Sequence, residues 1–203
     1  MADKKLYGEL ENFSYALGMS IAGNLIQTGV QTVNPELFLS GFKDVFNGEK
    51  TLIHPEDANT VLEEFISKMN QEKGTGNLEE GLKFLAVNKK KQEVIELPSG
   101  LQYMVLKKGD GEIPTVTDKV QCHYHGTLID GTVFDSSVER GQPAIFPVNG
   151  VIQGWVEALQ LMSTGSKWRL FIPSHLAYGV HGTGGAIGPN TTLIFDVELL
   201  KII

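Results

Sequence analysis

The chain has a single cysteine, Cys122, in 203 residues. No internal disulfide can form, so stability must come from packing. Arginine is scarce: residues 1–98 have none, and the remainder has Arg140 and Arg169. A formal charge of −7 with no long Lys/Arg run lacks the electrostatic footprint of a nucleic-acid binder. No apolar run approaches the roughly 18 residues of a membrane span. No apolar stretch follows Met1-Ala2-Asp3-Lys4-Lys5, so no signal peptide is read there. A cytoplasmic protein is expected, or a periplasmic one if a leader has been trimmed. What is present is ordinary for a globular chain, 41% apolar and 20% charged, with room for one large domain or two small ones.

The two halves are written differently. Residues 1–98 carry 10 Lys against 15 Asp and Glu, a net of −5, and they have helical periodicity. Phe13, Leu17, Ile21 and Leu25 recur every four positions up to Gly29. Asn34-Pro35-Glu36 reads as a cap and first turn, and Asn47-Gly48 as a stop. A third helix opens at His54-Pro55 and a fourth at Asn77, running to Lys89-Lys90-Lys91. Gly74-Thr75-Gly76 lies between them. Two glycines so close cost about 1 kcal/mol each in a helix, which predicts a break or hinge. The first two short helices cannot build a self-sufficient core, so burial of Phe13, Phe38, Phe42 and Phe46 calls for a second copy of the chain. The alternative is that they dock on the other half.

The second half reads as strands. Leu101–Leu106 alternates, Val120, Cys122 and Tyr124 share a face, and Asp130-Gly131 marks a hairpin. Further strands are predicted at 144–148, 167–172 and 192–201, with one short helix over 155–161 between Gly154 and Gly165. The fold class is α+β: an antiparallel sheet wrapped on one short helix, preceded by an all-α region. Three segments follow: helical 1–53, connecting helices 54–98, and a sheet domain 99–203.

The stretch from Gly131 to Trp155 sets Asp135 among Phe134, Phe146, Val151, Ile152 and Trp155. A carboxylate there is costly without a partner, and Arg140 is the candidate. An apolar concavity with a few fixed polar groups is how small-ligand and peptide sites are built. Tyr178 opens a Gly-rich loop from Val180 to Pro189 that could roof such a site.

Five separated stretches carry a resemblance: His123-Tyr124, Asp130–Ser137, Val151–Trp155, Leu176–Gly179 and Leu193–Leu200. Together they resemble the FKBP family of peptidyl-prolyl cis-trans isomerases. The helical half is similar to the dimerisation region of bacterial Mip-like members through Tyr15–Gly18, Phe38–Phe42 and Ser99–Tyr103. The resemblance implies an FKBP fold and rotamase activity toward X-Pro bonds in folding polypeptides. It implies a homodimer through residues 1–53, chaperone activity and binding of rapamycin-type macrolides. It also implies a prolyl pocket lined by Tyr124, Phe134, Asp135, Arg140, Phe146, Val151, Ile152, Trp155, Tyr178, Ile187 and Phe195. Trp155 would be the floor, and Tyr124, Phe134 and Phe195 the walls. The Ile152 amide and the Tyr178 hydroxyl would bond substrate carbonyls, and Asp135, held by Arg140, would face the twisted amide.

Ala144 and Ala186 depart from the family pattern and are expected to open the wall on two sides, weakening macrolide binding. No cofactor is implied. His123 and His125 share a strand face but lack a third ligand, so no metal is expected. The competing readings are a holdase chaperone and a proline-motif binding module without turnover.

Overall fold

The computed structural model describes residues 8–30, 32–183 and 185–203. The start at Met1–Lys5 lies outside them, as does Gly184 of the Gly-rich loop. Two compact units divide the chain, residues 1–69 and 70–203.

In the first unit, α1 spans Glu9–Gln27 and α2 spans Pro35–Asn47. The Asn34 side chain accepts from the amides of Glu36 and Leu37 at 3.0 and 3.1 Å. This satisfies two of the amides that every helix start leaves orphaned. Gly48, at φ 68°, takes the left-handed conformation that ends α2. Neither helix has a buried residue. Phe13, Phe38, Phe42 and Phe46 are 63%, 46%, 41% and 78% exposed.

The predicted break at Gly74–Gly76 does not occur. A single 34-residue helix, α3, runs Pro55–Asn88. The boundary between units falls inside it, rather than at residues 53 or 98. Its buried positions beyond residue 70 are Gly74, Gly81, Leu85 and Asn88, while Leu78 and Leu82 stay exposed. The reason is close approach. A glycine that weakens a helix locally also lets another segment come nearer than any Cβ permits.

The second unit is a seven-stranded antiparallel sheet. Its strands are β1 (Ile95–Glu96), β2 (Gln102–Lys107), β3 (Lys119–Thr127), β4 (Val133–Ser136), β5 (Ala144–Pro147), β6 (Lys167–Ile172) and β7 (Leu193–Ile202). The order is β1-β2-β6-β7-β3-β4, and β5 shares the outer edge of β3 with β4. β5 pairs with Lys119–Cys122 and β4 with His125–Thr127, so residues 137–143 leave the sheet between them. The short helix α4 (Gln153–Leu159) lies against the sheet. Its Trp155, Ala158 and Leu159 pack with Val120, Cys122, Tyr124, Leu170, Val197 and Leu199 in the core. Burial pushes the Cys122 thiol up to about 12, so this cysteine is a packing residue rather than a nucleophile.

The C-terminal turns of α3 join this unit through a polar staple. Gln102, fully buried on β2, donates to Leu85 O and Glu96 Oε1 and accepts from Asn88 Nδ2, all at 3.0 Å. Phe84 meets Phe171 at 5.9 Å between ring centroids.

Candidate active site

A cavity of about 620 Å³ opens over α4. It is lined by Tyr124 from β3, Phe134 and Asp135 from β4, Phe146 from β5, Gly150–Ile152 before α4, Trp155 from α4, Tyr178, Thr183 and Ile187 from the loop before β7, and Phe195 from β7. Trp155, only 4% exposed, is ringed by edge-on aromatics. Its centroid lies 5.5 Å from Tyr124, 5.7 Å from Phe146 and 5.2 Å from Phe195, at interplanar angles of 77–84°. Phe134 stands edge-on to Phe195 at 5.3 Å. Edge-to-face contacts of this kind add to the burial energy and fix the rings in place.

Asp135 is the polar group of this wall. Its Oδ2 accepts from the Tyr124 hydroxyl at 2.5 Å, and its Oδ1 accepts from Arg140 Nη1. Arg140 Nη2 also donates to the Tyr124 oxygen at 2.7 Å, and its guanidinium lies 5.5 Å from the centre of that ring. The three residues close a ring of hydrogen bonds. Partial burial pushes the Asp135 carboxyl up, but the bonds from Tyr124 and Arg140 outweigh it and hold the group below its ordinary range. The Tyr124 hydroxyl is pushed up, by burial first and by the neighbouring carboxylate second. At neutral pH the pair is a carboxylate and a neutral phenol.

Asp135 lines the cavity with its side chain 43% exposed, because β4 is an edge strand. One expectation needs correction. Arg140, 51% exposed, does not line the cavity. It sits on the excursion between β4 and β5 and reaches Asp135 from outside. The other ten expected residues are brought together there. Ala144 and Ala186 are not among the lining residues. Ala144 packs against the core, and Ala186 faces a separate groove beside α3.

Several contributors were not among the expected site residues. A Cβ on buried Gly126 would stand 2.7 Å from two Phe134 ring atoms and 2.8 Å from Phe195, so the two walls meet over this glycine. Buried Ser137 clamps the Tyr124 backbone, accepting from its amide at 2.7 Å and donating to its carbonyl at 3.3 Å. His123 and His125 bond the hydroxyls of Ser137 and Ser136 at 3.1 and 3.0 Å. The Ile152 amide and the Tyr178 hydroxyl have no partner among the described residues. Both border the cavity.

Two family models match the chain. One is FKBP-type peptidyl-prolyl cis-trans isomerase, over residues 110–200. The other is the domain amino terminal to it, over residues 10–105. The FKBP-type 22 kDa peptidyl-prolyl cis-trans isomerase of Escherichia coli is 45% identical over 94% of each chain. The chain belongs to the FKBP-type peptidyl-prolyl cis-trans isomerases. The outer membrane protein MIP of Legionella longbeachae is 42% identical over 95% of this chain and 85% of that one. The crystal structure of FkpA from Escherichia coli superposes with a TM-score of 0.71 at 32% identity, covering 98% of both chains. Family membership makes the chain an isomerase of X-Pro bonds, with the fold read from its sequence. Among the described residues, no helix is long and apolar enough to cross a membrane.

Proposed function

We propose that the 620 Å³ cavity is where this isomerase turns X-Pro bonds, with Trp155 beneath the pyrrolidine ring. The observation that carries the reading is the Asp135–Tyr124–Arg140 ring of hydrogen bonds set into an aromatic wall.

The barrier to amide rotation, about 18–20 kcal/mol, comes from resonance that places negative charge on oxygen and positive charge on nitrogen. Water stabilises that planar, charge-separated form. Six aromatic rings replace water with apolar surface, so the planar form rises relative to the twisted one. Each ~1.4 kcal/mol removed this way is about tenfold in rate. Asp135 acts as a fixed charge: both of its oxygens are occupied and its proton stays off. It neither attacks nor abstracts. The Ile152 amide and Tyr178 hydroxyl supply the donors for substrate carbonyls, holding the twisted geometry more tightly than the planar one. A rapamycin-type macrolide is a proposed ligand of the same cavity.

The test is NMR exchange on a prolyl tetrapeptide. Tyr178→Phe should lower kcat/KM about fivefold, the worth of one ordinary hydrogen bond. Phe146→Ala should lower it further. Parent-like rates in both variants would place the chemistry elsewhere.

The helices α1 and α2 support a homodimer and a holdase role. Four phenylalanines at 41–78% exposure form an apolar surface of the kind that a second copy covers. A dimer would hold a proline-containing client near two cavities at raised effective concentration. Phe42→Glu with Phe46→Glu should sediment as a monomer, keep the tetrapeptide rate and lose suppression of client aggregation. A dimeric double variant would refute the assignment of this face. For compartment, the periplasmic alternative is the one supported, by the relative named as an outer membrane protein. Cell fractionation tests it.

A further inference from the structure

The two glycines that suggest a helix break are not alike. Gly76 faces open space. Gly74 is buried, and a Cβ there would stand 3.3 Å from both Pro189 Cβ and Asn190 Nδ2. Two turns later, a Cβ on Gly81 would collide with Thr192 Oγ1. Between them Asn77 Nδ2 donates to Pro189 O at 2.8 Å and to Thr191 Oγ1 at 3.2 Å. Gly74 O accepts from Asn190 Nδ2 at 3.2 Å. Residues 74, 77 and 81 share one helix face by their i, i+3, i+7 spacing. That face grips Pro189 to Thr192.

The gripped segment is the downstream end of the loop that borders the cavity. The Asn190 amide donates to Gly179 O at 2.8 Å, closing the neck of the loop beside Tyr178. Thr191 Oγ1 donates in turn to Gly188 O at 2.9 Å, next to Ile187. Asn190 has a φ of 55°, the one positive value at a non-glycine among the described residues. Such a conformation persists where neighbours enforce it. Here its amide is held by Gly179 and its side chain by Gly74. Tyr178 and Ile187 line the cavity, while no residue of α3 does.

We propose that Asn77 is a positioning residue for the isomerase reaction: with Gly74 it fixes the loop carrying Tyr178 and Ile187, and so sets substrate affinity without touching substrate. The proposal rests on the reading of the cavity as the prolyl site. Without the two Asn77 bonds the loop samples more arrangements, and substrate must select the competent one. Apparent affinity falls by the competent fraction, while the bound state reacts as before. The signature is therefore a rise in KM with kcat retained.

The experiment uses the full chain and a prolyl tetrapeptide. Asn77→Ala should raise KM about fivefold with kcat within about twofold of the parent. The amide resonances of Tyr178 and Ile187 should shift while those of α4 stay. Asn77→Gln, which keeps the donor, should recover part of the loss. Thr75→Ala, on the exposed side of the same turn, should leave KM unchanged. A lowered melting temperature with parent KM would make Asn77 a purely structural contact and overturn the proposal. Tyr178→Phe is measured alongside. If it loses activity and Asn77→Ala does not, the positioning role fails alone. If neither loses activity, the cavity assignment fails and the positioning role with it.

Discussion

Gly126→Ala probes the aromatic wall with one methyl group. Gly126 lies on β3, opposite Asp135 on β4 and Phe195 on β7, without a left-handed backbone. Alanine should therefore fit the strand, and by conformational entropy alone would stabilise it by about 0.5–1 kcal/mol. Space decides the outcome. The new Cβ would sit 2.7 Å from Phe134 Cε2 and Cζ and 2.8 Å from Phe195 Cε1. Ordinary carbon contacts are about 3.5–4.0 Å, so the rings must retreat by roughly 1 Å in total. Overpacking of this kind costs about 1–3 kcal/mol, which exceeds the entropic gain. A net loss of about 0.5–2 kcal/mol corresponds to a few degrees in the melting temperature. Activity should suffer more, because a displacement near 1 Å at a reacting centre can cost about 100-fold. Thermal unfolding and NMR exchange on a prolyl tetrapeptide measure the two effects. A variant with parent stability and parent kcat/KM would refute the argument that Phe134 and Phe195 form one rigid wall over Gly126.

Other outcomes follow from the same geometry. Because the Asp135 carboxyl is held low and the Tyr124 hydroxyl high, kcat/KM should be flat from about pH 5 to pH 9; an inflection near neutrality would assign the rate to another group. Arg140→Leu removes the outer partner of Asp135 while burial still pushes the carboxyl up. The acid limb of the pH–rate profile should then move to higher pH, and an unmoved limb would exclude Arg140 as the group that holds the charge. A fragment of residues 70–203 keeps the α3 staple, whereas 99–203 loses Leu85 and the Gln102 partners. The shorter fragment should be less stable by about 4–6 kcal/mol, from one buried leucine and three hydrogen bonds, read by urea unfolding. Equal midpoints would contradict the staple.

Local chemistry was the most legible part of the chain. The start of α2 is written in Asn34-Pro35, and its end in Gly48, because caps depend on neighbours in sequence. The alternation of Val120, Cys122 and Tyr124 placed Tyr124 on the core side, where it is 7% exposed. The continuity of α3 was not legible. A glycine inside a helix is read as a cost, and its compensation at Pro189–Thr192 comes from more than a hundred residues away. The residues lining the cavity were named through a resemblance, since single phenylalanines read more readily as core. Arg140 was misplaced because sequence distance to Asp135 shows that they can meet, not from which side. Gly126 was missed because it acts by the room it leaves, which makes no pattern along the chain; Ser137 lay inside a matched stretch, but its hold on the Tyr124 backbone is a tertiary contact that the stretch does not spell out.

The proposed reaction needs a fixed carboxylate in an aromatic cavity, and no nucleophile, to turn X-Pro bonds. Asp135→Asn keeps the size of the side chain and removes its charge. NMR exchange on a prolyl tetrapeptide, run on a variant whose circular dichroism matches the parent, measures the consequence. A fall in kcat/KM of about tenfold or more is expected, equivalent to ~1.4 kcal/mol of lost preference for the twisted amide. A rate equal to the parent would contradict it.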